Sequence, residues 1–199
     1  FKGASCLPPA DNRCLVNLSD GGKDAVRVRE FDIATKTFVA GGFDLPEGKH
    51  RISWLDADTL LVATDFGAGT MTESGYPFIV KSLKRGQTLS QATELYRGAQ
   101  ADGGYGVSPV ILRDPAGAVQ AVLFRRPLDT FRAETWALGA DNTPYKLNLP
   151  ARVSISGMLG DKLVFSPDEN WNFDGHAYKA GELVAVPFNL LGELRPRIA

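Results

Sequence analysis

The sequence predicts an all-β fold made of several small antiparallel sheets. Runs of alternating apolar and polar residues recur in pairs along the chain, and each pair is joined by a short turn rich in glycine, aspartate or proline. Apolar residues at helical spacing are scarce. Only residues 88–96, TLSQATELY, favour a turn or two of helix, and a strand is expected to follow it.

The first predicted hairpin spans residues 15–38, LVNLSDGGKDAVRVREFDIATKTF. Its turn lies at 19–24, where two glycines supply the positive φ that a reversal needs and aspartate side chains cap free backbone amides. Beyond the turn, Val26 and Val28 alternate with arginines, which places the valines on one face of the strand and the arginines on the other. The strand is therefore expected to be half buried.

Three more hairpins repeat this pattern. They span residues 51–64 (RISWLDADTLLVAT), 107–124 (VSPVILRDPAGAVQAVLF) and 152–165 (RVSISGMLGDKLVF), with turns at 56–58, 114–117 and 160–161. A more polar third strand serves each of the four units, with the sequences VRVREFD, YPFIVKSLKRG, AETWALGAD and GELVAVPF. A fourth strand is plainest at Tyr145, Leu147 and Leu149, which alternate with polar residues.

Units of roughly 40 to 55 residues with about four strands each are typical of β-propeller blades, because one small twisted sheet cannot bury both of its faces alone. A β-sandwich of short strands fits the spacing almost as well. Long loops after the second strand, at 65–76 and 167–181, favour blades. We expect one domain over 1–199, with approximate blades at 13–40, 41–98, 99–150 and 151–195 and a leading strand or loop at 1–12.

The charge balance argues against two classes of partner. Lys and Arg total 22 against 23 Asp and Glu, so no net positive field would attract nucleic acid or an anionic membrane. No run of about 18 apolar residues is present, and no membrane-spanning helix is expected. The chain begins at Phe1 without an initiator methionine, so we expect an excised or processed piece.

Two cysteines, Cys6 and Cys14, flank a short loop that contains Pro8-Pro9. Their spacing permits a disulfide, which would place the chain in an oxidising compartment, either periplasmic or secreted. Two free cysteines are the alternative. No histidine pair lies near them, so the sequence predicts no zinc site, and it suggests no other metal and no cofactor.

Several stretches together resemble the N-terminal β-propeller of bacterial prolyl oligopeptidase-like serine peptidases. They are KGASC, RCLVNLSDGGKDAVRVREFDIATKTFV, RISWLDADTLLVATDFG, SGYPFIVKSLKRGQTL, ENW and YKAGELVAVPF. The resemblance covers nearly the whole chain, yet only about four blades of a propeller that has seven in this family. It implies a lid that restricts entry to oligopeptides, while a Ser, Asp and His on an α/β-hydrolase domain beyond Ala199 cut the peptide bond.

The resemblance also implies a place for His50 and Arg51, which enter the second hairpin. In the family, this segment faces the hydrolase domain and approaches the bound peptide. Both residues are therefore candidates for contacts with the substrate or with the catalytic domain, which are the two partners that we expect. An incomplete ring of blades would also leave open strand edges, and these would favour self-association.

The chain itself offers no catalytic residue. A serine nucleophile of this class needs G-x-S-x-G at a strand-to-helix turn, and the sequence contains no such motif. The nearest serines, Ser108 and Ser156, lie in predicted strands. His50 and His176, the latter in a predicted loop, are isolated histidines without a positioned nucleophile or carboxylate.

Two readings from other classes remain open. Carboxylates from different blades could act as acid and base on a glycosidic bond; the candidates are Asp65, Glu73, Glu134 and Asp168. A free-standing binding module could present Arg125, Arg126, Arg132, Trp136 and Trp171 at one end of the blades. Against these stand simpler roles, because turn aspartates usually cap amides and tryptophans in strands, such as Trp54 and Trp136, usually pack between sheets.

Overall fold

The computed structural model describes residues 1–102 and 104–192, and this part of the chain consists of 18 strands and two short 3₁₀ helices. The strands form four antiparallel sheets of three to five strands and one small hairpin. The predicted all-β class is confirmed.

The first sheet has the order β1-β2-β3-β4, and β5 also pairs with β3. Its strands are β1 (Gly3–Cys6), β2 (Arg13–Leu18), β3 (Val26–Asp32), β4 (Thr37–Phe38) and β5 (Asp44–Gly48). Val28 is fully buried whereas Arg27 is exposed, so the predicted alternation along β3 is present. The sheet includes residues on both sides of 13–40, because β1 pairs with β2 and β5 pairs with β3. The blade limits given above stay a prediction.

The second and third sheets each have four strands in sequential order. The second contains β6 (Arg51–Asp56), β7 (Thr59–Ala63), β8 (Ile79–Lys84) and β9 (Thr93–Arg97), with a 3₁₀ helix at Leu89–Gln91. The third contains β10 (Ser108–Arg113), β11 (Val119–Pro127), β12 (Ala133–Leu138) and β13 (Pro144–Lys146). The short helix lies within the one stretch whose spacing predicts helix, directly before a strand.

The fourth sheet corrects one expectation. It is formed by β14 (Val153–Leu159), β15 (Lys162–Pro167) and β18 (Val184–Pro187), and a second 3₁₀ helix follows at Phe188–Leu190. The predicted loop at 167–181 contains a further hairpin, β16 (Trp171–Phe173) and β17 (His176–Tyr178). Stacked rings hold it together, since the Trp171 ring centroid lies 4.8 Å from that of Phe173 and 5.3 Å from that of Tyr178.

The apolar cores lie between neighbouring sheets. Trp54, Leu60 and Val62 of the second sheet pack with Leu15 and Val28 of the first. On the other face of the second sheet, Leu61 and Ala63 pack with Phe124 of the third. The third and fourth sheets share another cluster, in which Leu123, Ala137 and Leu147 meet Leu163, Phe165 and Val186. Strand β7 is therefore buried on both faces, which its predicted alternation does not capture. A sandwich has one core between two sheets, whereas serial face-to-face stacking is the arrangement of propeller blades.

Polar contacts join the first strands of successive sheets. Trp54 Nε1 donates to the carbonyl of Ser5 at 2.9 Å, and Ser53 Oγ donates to the carbonyl of Pro109 at 2.9 Å. Arg113 donates to the carbonyl of Trp54 at 2.7 Å. The first strands β1, β6 and β10 therefore follow one another along the inner side of the stack, as propeller strands do around an axis.

This connectivity defines two ends of the stack. At the loop end lie the connections that join second to third strands and one sheet to the next, namely 19–25, 49–50, 64–78, 98–102 with 104–107, 128–132 and 147–152. At the turn end lie the connections of the inner hairpins, namely 7–12, 57–58, 114–118 and 160–161. His50 and Arg51 belong to the loop end.

Cys6 and Cys14 are joined by a disulfide that closes the loop at 7–12. Leu7 packs against the core between the first two sheets. Pro9 reaches the turn of the third sheet, where a Cβ built on Gly117 would lie only 2.6 Å from Pro9 Cδ. The disulfide-closed loop thus spans from the first sheet past the second to the third.

We expect Gly117→Ala to destabilise the chain by about 2–3 kcal/mol, because Gly117 has a φ of 88° and its added methyl group would collide with Pro9. Gly160→Ala is the matched control. It has a φ of 60° in the equivalent turn of the fourth sheet and nothing within 4 Å, so only the backbone cost of about 1 kcal/mol applies. Urea unfolding measures both. Equal losses would show that the loop does not rest on the third sheet.

Candidate functional site

The two residues singled out by the sequence, His50 and Arg51, line a cleft of about 440 Å³ at the loop end. The cleft lies between the first and second sheets. Its other lining residues are Lys2, Asn17, Asp24, Val26, Lys49 and Tyr76. The short connection from β5 to β6 positions both candidates, because it ends one sheet and begins the inner strand of the next.

His50 is held by both ring nitrogens. Nε2 lies 2.8 Å from the carbonyl oxygen of Pro46, and Nδ1 lies 2.8 Å from Oγ1 of Thr64. A carbonyl can only accept, so Nε2 carries the hydrogen and Nδ1 accepts the hydroxyl of Thr64. Burial lowers the pKa of His50. The ring is therefore a neutral, oriented support for this corner of the cleft.

The His50–Thr64 pair has the distance of a base and a nucleophile, but it lacks their other requirements. Thr64 is only 2% exposed, so no substrate could reach its hydroxyl. The second partner of His50 is the carbonyl of Pro46 and not a carboxylate that would stabilise an imidazolium. Sequence reasoning gave no signal for Thr64, because the pairing depends on how β7 lies beside the entry to β6.

The cleft is cationic. Lys49 Nζ lies 4.1 Å from the centre of the Tyr76 ring, and the side chain of Arg51 is exposed. Within residues 1–102 and 104–192, no ion pair involves Lys2, Lys49 or Arg51, and Asp24 is the one carboxylate in the lining. The chain as a whole has a formal charge of −1, so positive charge is concentrated here. Such a cleft can bind a carboxylate and donate hydrogen bonds to a peptide carbonyl. The sequence analysis named His50 and Arg51 only from the family resemblance, and it missed Lys49 and Tyr76. The run Lys49-His50-Arg51 is the signal that could have indicated a cationic cleft.

The remaining sequence candidates for nucleophilic chemistry lie apart. Ser108 and Ser156 belong to β10 and β14, as predicted. His176 begins β17 and does not lie in a loop, because the predicted loop folds into a hairpin there. Its Nδ1 lies 3.2 Å from the carbonyl of Asp174. In the described part of the chain, no hydrogen bond joins a serine to a histidine.

The four carboxylates of the glycosidase reading lie in three different parts of the chain, and three of them have structural partners. Asp65 accepts the amide of Gly67 at 2.8 Å, and Asp168 accepts the hydroxyl of Ser154 at 3.0 Å. Glu134 pairs with Arg126 at 3.3 Å and with Lys146 at 3.1 Å. Glu73 lies in the same loop as Asp65.

The electrostatics of Glu134 do not suit a general acid. Burial raises its pKa, but hydrogen bonds from Lys146 and Trp136 and the charge of Arg126 outweigh burial, and the pKa lies below its usual value. A general acid needs a raised pKa near the working pH. The geometry therefore gives no support to an acid role for this residue.

The residues of the binding-module reading are largely engaged within the fold. Arg126 donates to both oxygens of Asp102 at 2.7 and 2.6 Å. Trp136 donates to Glu134 at 3.2 Å. Trp171, expected in a loop, is in β16 and only 8% exposed, because it packs in the buried cluster that the third and fourth sheets share. A surface formed by these arginines and tryptophans is not what the structure presents.

The residues that the structure describes contain no group of three or more His, Cys, Asp or Glu side chains placed to hold a metal ion. They also contain no helix with the length and apolar character needed to cross a bilayer.

The chain has clear relatives. It is 39% identical over 189 residues to Uncharacterized peptidase y4nA of Sinorhizobium fredii, and the match covers 93% of this chain and 26% of that protein. No protein-family model matches the chain. The chain thus spans about a quarter of the length of this curated relative.

Solved structures agree with the sequence match. A post-proline cleaving enzyme from Rickettsia typhi superposes with a TM-score of 0.80 and 28% identity, over 95% of this chain and 29% of that one. Oligopeptidase B from Leishmania major superposes with a TM-score of 0.61 over 94% of this chain and 24% of its own; its 16% identity speaks to the fold alone. These neighbours are prolyl oligopeptidase-family enzymes, whose N-terminal domain is a β-propeller.

Proposed function

We propose that this chain is the noncatalytic propeller portion of a prolyl oligopeptidase-family peptidase, because it is homologous to a section of such enzymes. In this proposal the parent polypeptide also carries a hydrolase domain with the catalytic Ser, Asp and His. The propeller portion gates that domain by admitting oligopeptides and excluding larger chains.

The observation that supports this proposal most directly is the serial stacking of four sheets, with no assembled nucleophile and base among residues 1–102 and 104–192. Each inner sheet is covered on both faces, and the polar side chains at the inner strands tie neighbouring sheets together. A stack of this kind is closely packed and therefore rigid. It can line the route to an active site on another domain without taking part in the reaction.

Within this proposal, the cleft at His50 and Arg51 faces the hydrolase domain or the peptide that enters it. His50 supports the corner of the cleft, while Arg51 and Lys49 present cations to a carboxylate or carbonyl. A free-standing binding module is the alternative. It would use the same cleft without a catalytic partner.

The test of gating uses the full gene product and two substrates, a short proline-containing peptide and the same sequence inside a long unfolded polypeptide. We expect efficient cleavage of the short peptide alone. Arg113→Met should raise the long-to-short ratio of kcat/KM several-fold, because Arg113 donates to the carbonyls of Trp54 and Leu55 and so ties the inner strands of two sheets together.

Arg97→Met is the control for this test. Arg97 forms an exposed pair with Glu94 on the fourth strand of the second sheet, away from the inner strands. It should leave the ratio unchanged. Equal cleavage of both substrates by the unmodified enzyme would contradict gating, and absence of cleavage of either would contradict the peptidase assignment.

A location outside the cytosol is part of the proposal. The Cys6–Cys14 disulfide is compatible with a periplasmic or secreted protein, since cytosolic thiols are usually kept reduced. Mass spectrometry of the protein isolated from cells under alkylating conditions measures the bridge directly. Alkylation of both cysteines would count against this location.

Self-association through the terminal sheets is a further expectation for the chain studied by itself. The outward faces of the first and fourth sheets have no neighbouring sheet within the described residues, and Leu159 and Leu183 are 69% and 74% exposed. Light scattering after size exclusion should show a mass that rises with concentration. A monomer at high concentration would contradict this expectation.

A further inference from the structure

A loop at the turn end of the first sheet reaches the third sheet, and we call it the strap. It spans residues 7–12 and is closed at its base by the disulfide between Cys6 and Cys14. Residues 8–12, its tip, are exposed to solvent. Within the described part of the chain, none of the tip side chains forms a hydrogen bond or an ion pair. The position of the tip therefore depends on the base of the loop and on the surface that the tip contacts.

The base of the strap rests on the second sheet. Leu7 packs against the core that Trp54 shares with the first sheet, and its amide donates to the carbonyl of Arg13 at 2.8 Å. The indole Nε1 of Trp54 donates to the carbonyl of Ser5 at 2.9 Å, directly before Cys6. The disulfide therefore closes the loop where the first strand is already bonded to the neighbouring sheet. Without the disulfide, the base would be closed by weaker backbone hydrogen bonds.

The tip of the strap rests on the inner turn of the third sheet. A Cβ built on Gly117 would lie 2.6 Å from Pro9 Cδ and 3.1 Å from Pro9 N, so the proline ring lies directly against this turn. The equivalent turn of the fourth sheet has no such cover, because nothing lies within 4 Å of a Cβ built on Gly160. The strap therefore passes the second sheet and presses on one particular turn of the third.

The turn under the strap holds a side chain that joins two sheets. The carbonyl of Gly117 accepts Nη1 of Arg113 at 2.8 Å. Nη2 of the same guanidinium donates to the carbonyls of Trp54 at 2.7 Å and Leu55 at 3.0 Å, on the inner strand of the second sheet. A planar guanidinium cannot move one of its nitrogens without moving the others. A shift of the turn is therefore transmitted through Arg113 to the contact between the second and third sheets.

We propose that the Cys6–Cys14 disulfide is a redox-sensitive site that controls how firmly the strap holds the turn of the third sheet. While the bridge is intact, Pro9 stays against Gly117 and Arg113 keeps its bonds to the second sheet. After reduction the strap gains conformational freedom, since a cross-link restricts the states that a loop can adopt. The consequence for peptide cleavage rests on the proposed function, whereas the consequence for the turn does not.

A dithiol reductant can open the bridge by thiol–disulfide exchange. Cys6 is half-buried whereas Cys14 is only 2% exposed, so the thiolate of the reductant attacks Sγ of Cys6. The S–S bond breaks, and Cys14 leaves as a thiolate that takes up a proton. The second thiolate of the reductant then attacks the mixed disulfide and releases Cys6 as a thiolate, which is protonated in turn. Two electrons have passed to the cysteines, and the reductant is left as a disulfide.

The first measurement is amide hydrogen exchange in the full gene product, before and after treatment with dithiothreitol. We expect the amides of residues 114–118 to exchange several-fold faster after reduction, because their turn loses its contact with Pro9. The turn at 160–161 is the matched internal control and should not change, since no strap covers it. Reoxidation should restore slow exchange, which separates release of the strap from unfolding.

A double variant, Cys6→Ser with Cys14→Ser, shows whether this bridge is the site of reduction. Without reductant, the amides of residues 114–118 should exchange as fast in the double variant as in the reduced protein. Dithiothreitol should then change their exchange no further, a pattern that cysteines elsewhere in the full gene product cannot produce. A further acceleration by dithiothreitol in the double variant would contradict the proposal.

The second measurement is the long-to-short ratio of kcat/KM, with substrates that lack cysteine. Reduction should raise this ratio several-fold in the unmodified protein. It should not raise the ratio further in the Arg113→Met variant, because that variant already lacks the bonds that join the turn at Gly117 to the second sheet. An equal rise in both proteins would show that reduction acts elsewhere, and would overturn the link through Arg113.

The strap and the gating function can fail separately. Unchanged exchange at 114–118 after reduction, or an equal change at 160–161, would overturn the strap. An unchanged ratio in a protein that excludes the long substrate would overturn the consequence for cleavage. Equal cleavage of both substrates by the oxidised, unmodified protein would contradict gating, and the exchange data would still decide whether the disulfide controls the turn.

Discussion

Phe124→Ala is expected to lower the free energy of unfolding by about 3–5 kcal/mol, the usual loss when a buried phenylalanine is truncated. The side chain is fully buried between the second and third sheets, and its ring stacks on Tyr96 at a centroid distance of 4.9 Å. β11 lies in the middle of its sheet, paired on both sides, so the backbone has little freedom to close the cavity. Urea unfolding at neutral pH measures the loss.

Phe131→Ala is the control for this change. It removes the same side chain seven positions later, where the ring is mostly in solvent. In the chain by itself it should leave the free energy of unfolding nearly unchanged. If the two variants were equally stable, the core between the second and third sheets would not hold those sheets together.

Arg85→Met is expected to destabilise the chain by about 3 kcal/mol, because it leaves a buried carboxylate without its main partner. Glu30 is fully buried between the first and second sheets. Arg85 donates to its two oxygens at 2.6 and 3.1 Å, and the amide of Phe43 donates at 2.9 Å. Arg13, at 3.3 Å, stays in the variant and limits the loss.

The loss in the Arg85→Met variant should depend on pH. Burial raises the pKa of Glu30, but hydrogen bonds from Arg85 and Phe43 and the charges of both arginines outweigh burial and lower it overall. A lowered carboxyl pKa contributes stability above the unfolded value of about 4.5 that is lost as the pH falls through the folded value. Without Arg85 this contribution is reduced. The difference between the two proteins should therefore be largest near pH 7 and shrink below about pH 4.5.

Arg27→Met provides the matched control for the ion pair. Arg27 lies on β3 near Glu30 and also forms a two-point pair, with Asp44 at 2.8 and 2.6 Å, but this pair is exposed to solvent. Its loss should change the free energy of unfolding little. A similar loss from both arginine variants would mean that the buried position of Glu30 does not matter.

The two substitutions affect different interfaces between neighbouring sheets. Phe124 lies between the second and third sheets, and Glu30 lies between the first and second. They have no partner in common among the contacts described, so their losses should add in the double variant. Additive losses would mean that each interface between two neighbouring sheets stabilises the stack independently.

The sequence by itself determined the strands of four hairpins. Alternating residues and turn residues are local signals, so the hairpins at 15–38, 51–64, 107–124 and 152–165 could be placed without any tertiary information. The short helix before β9 was predicted from its apolar spacing for the same reason. The resemblance to prolyl oligopeptidase-like peptidases could also be recognised from the sequence, and the relatives confirm it.

Only the tertiary structure decided which surfaces those strands share. Strand β7 is buried on both faces because sheets lie on either side of it. The pairing of Glu30 with Arg85 and the hydrogen bond between His50 and Thr64 likewise join residues from different strands or sheets. The hairpin at Trp171 and His176 was missed because ring stacking, not alternation, stabilises its short strands. The alternation of apolar and polar residues shows which residues share one face of a strand. A functional site also depends on the residues that lie opposite that face, and these are fixed only when the sheets stack.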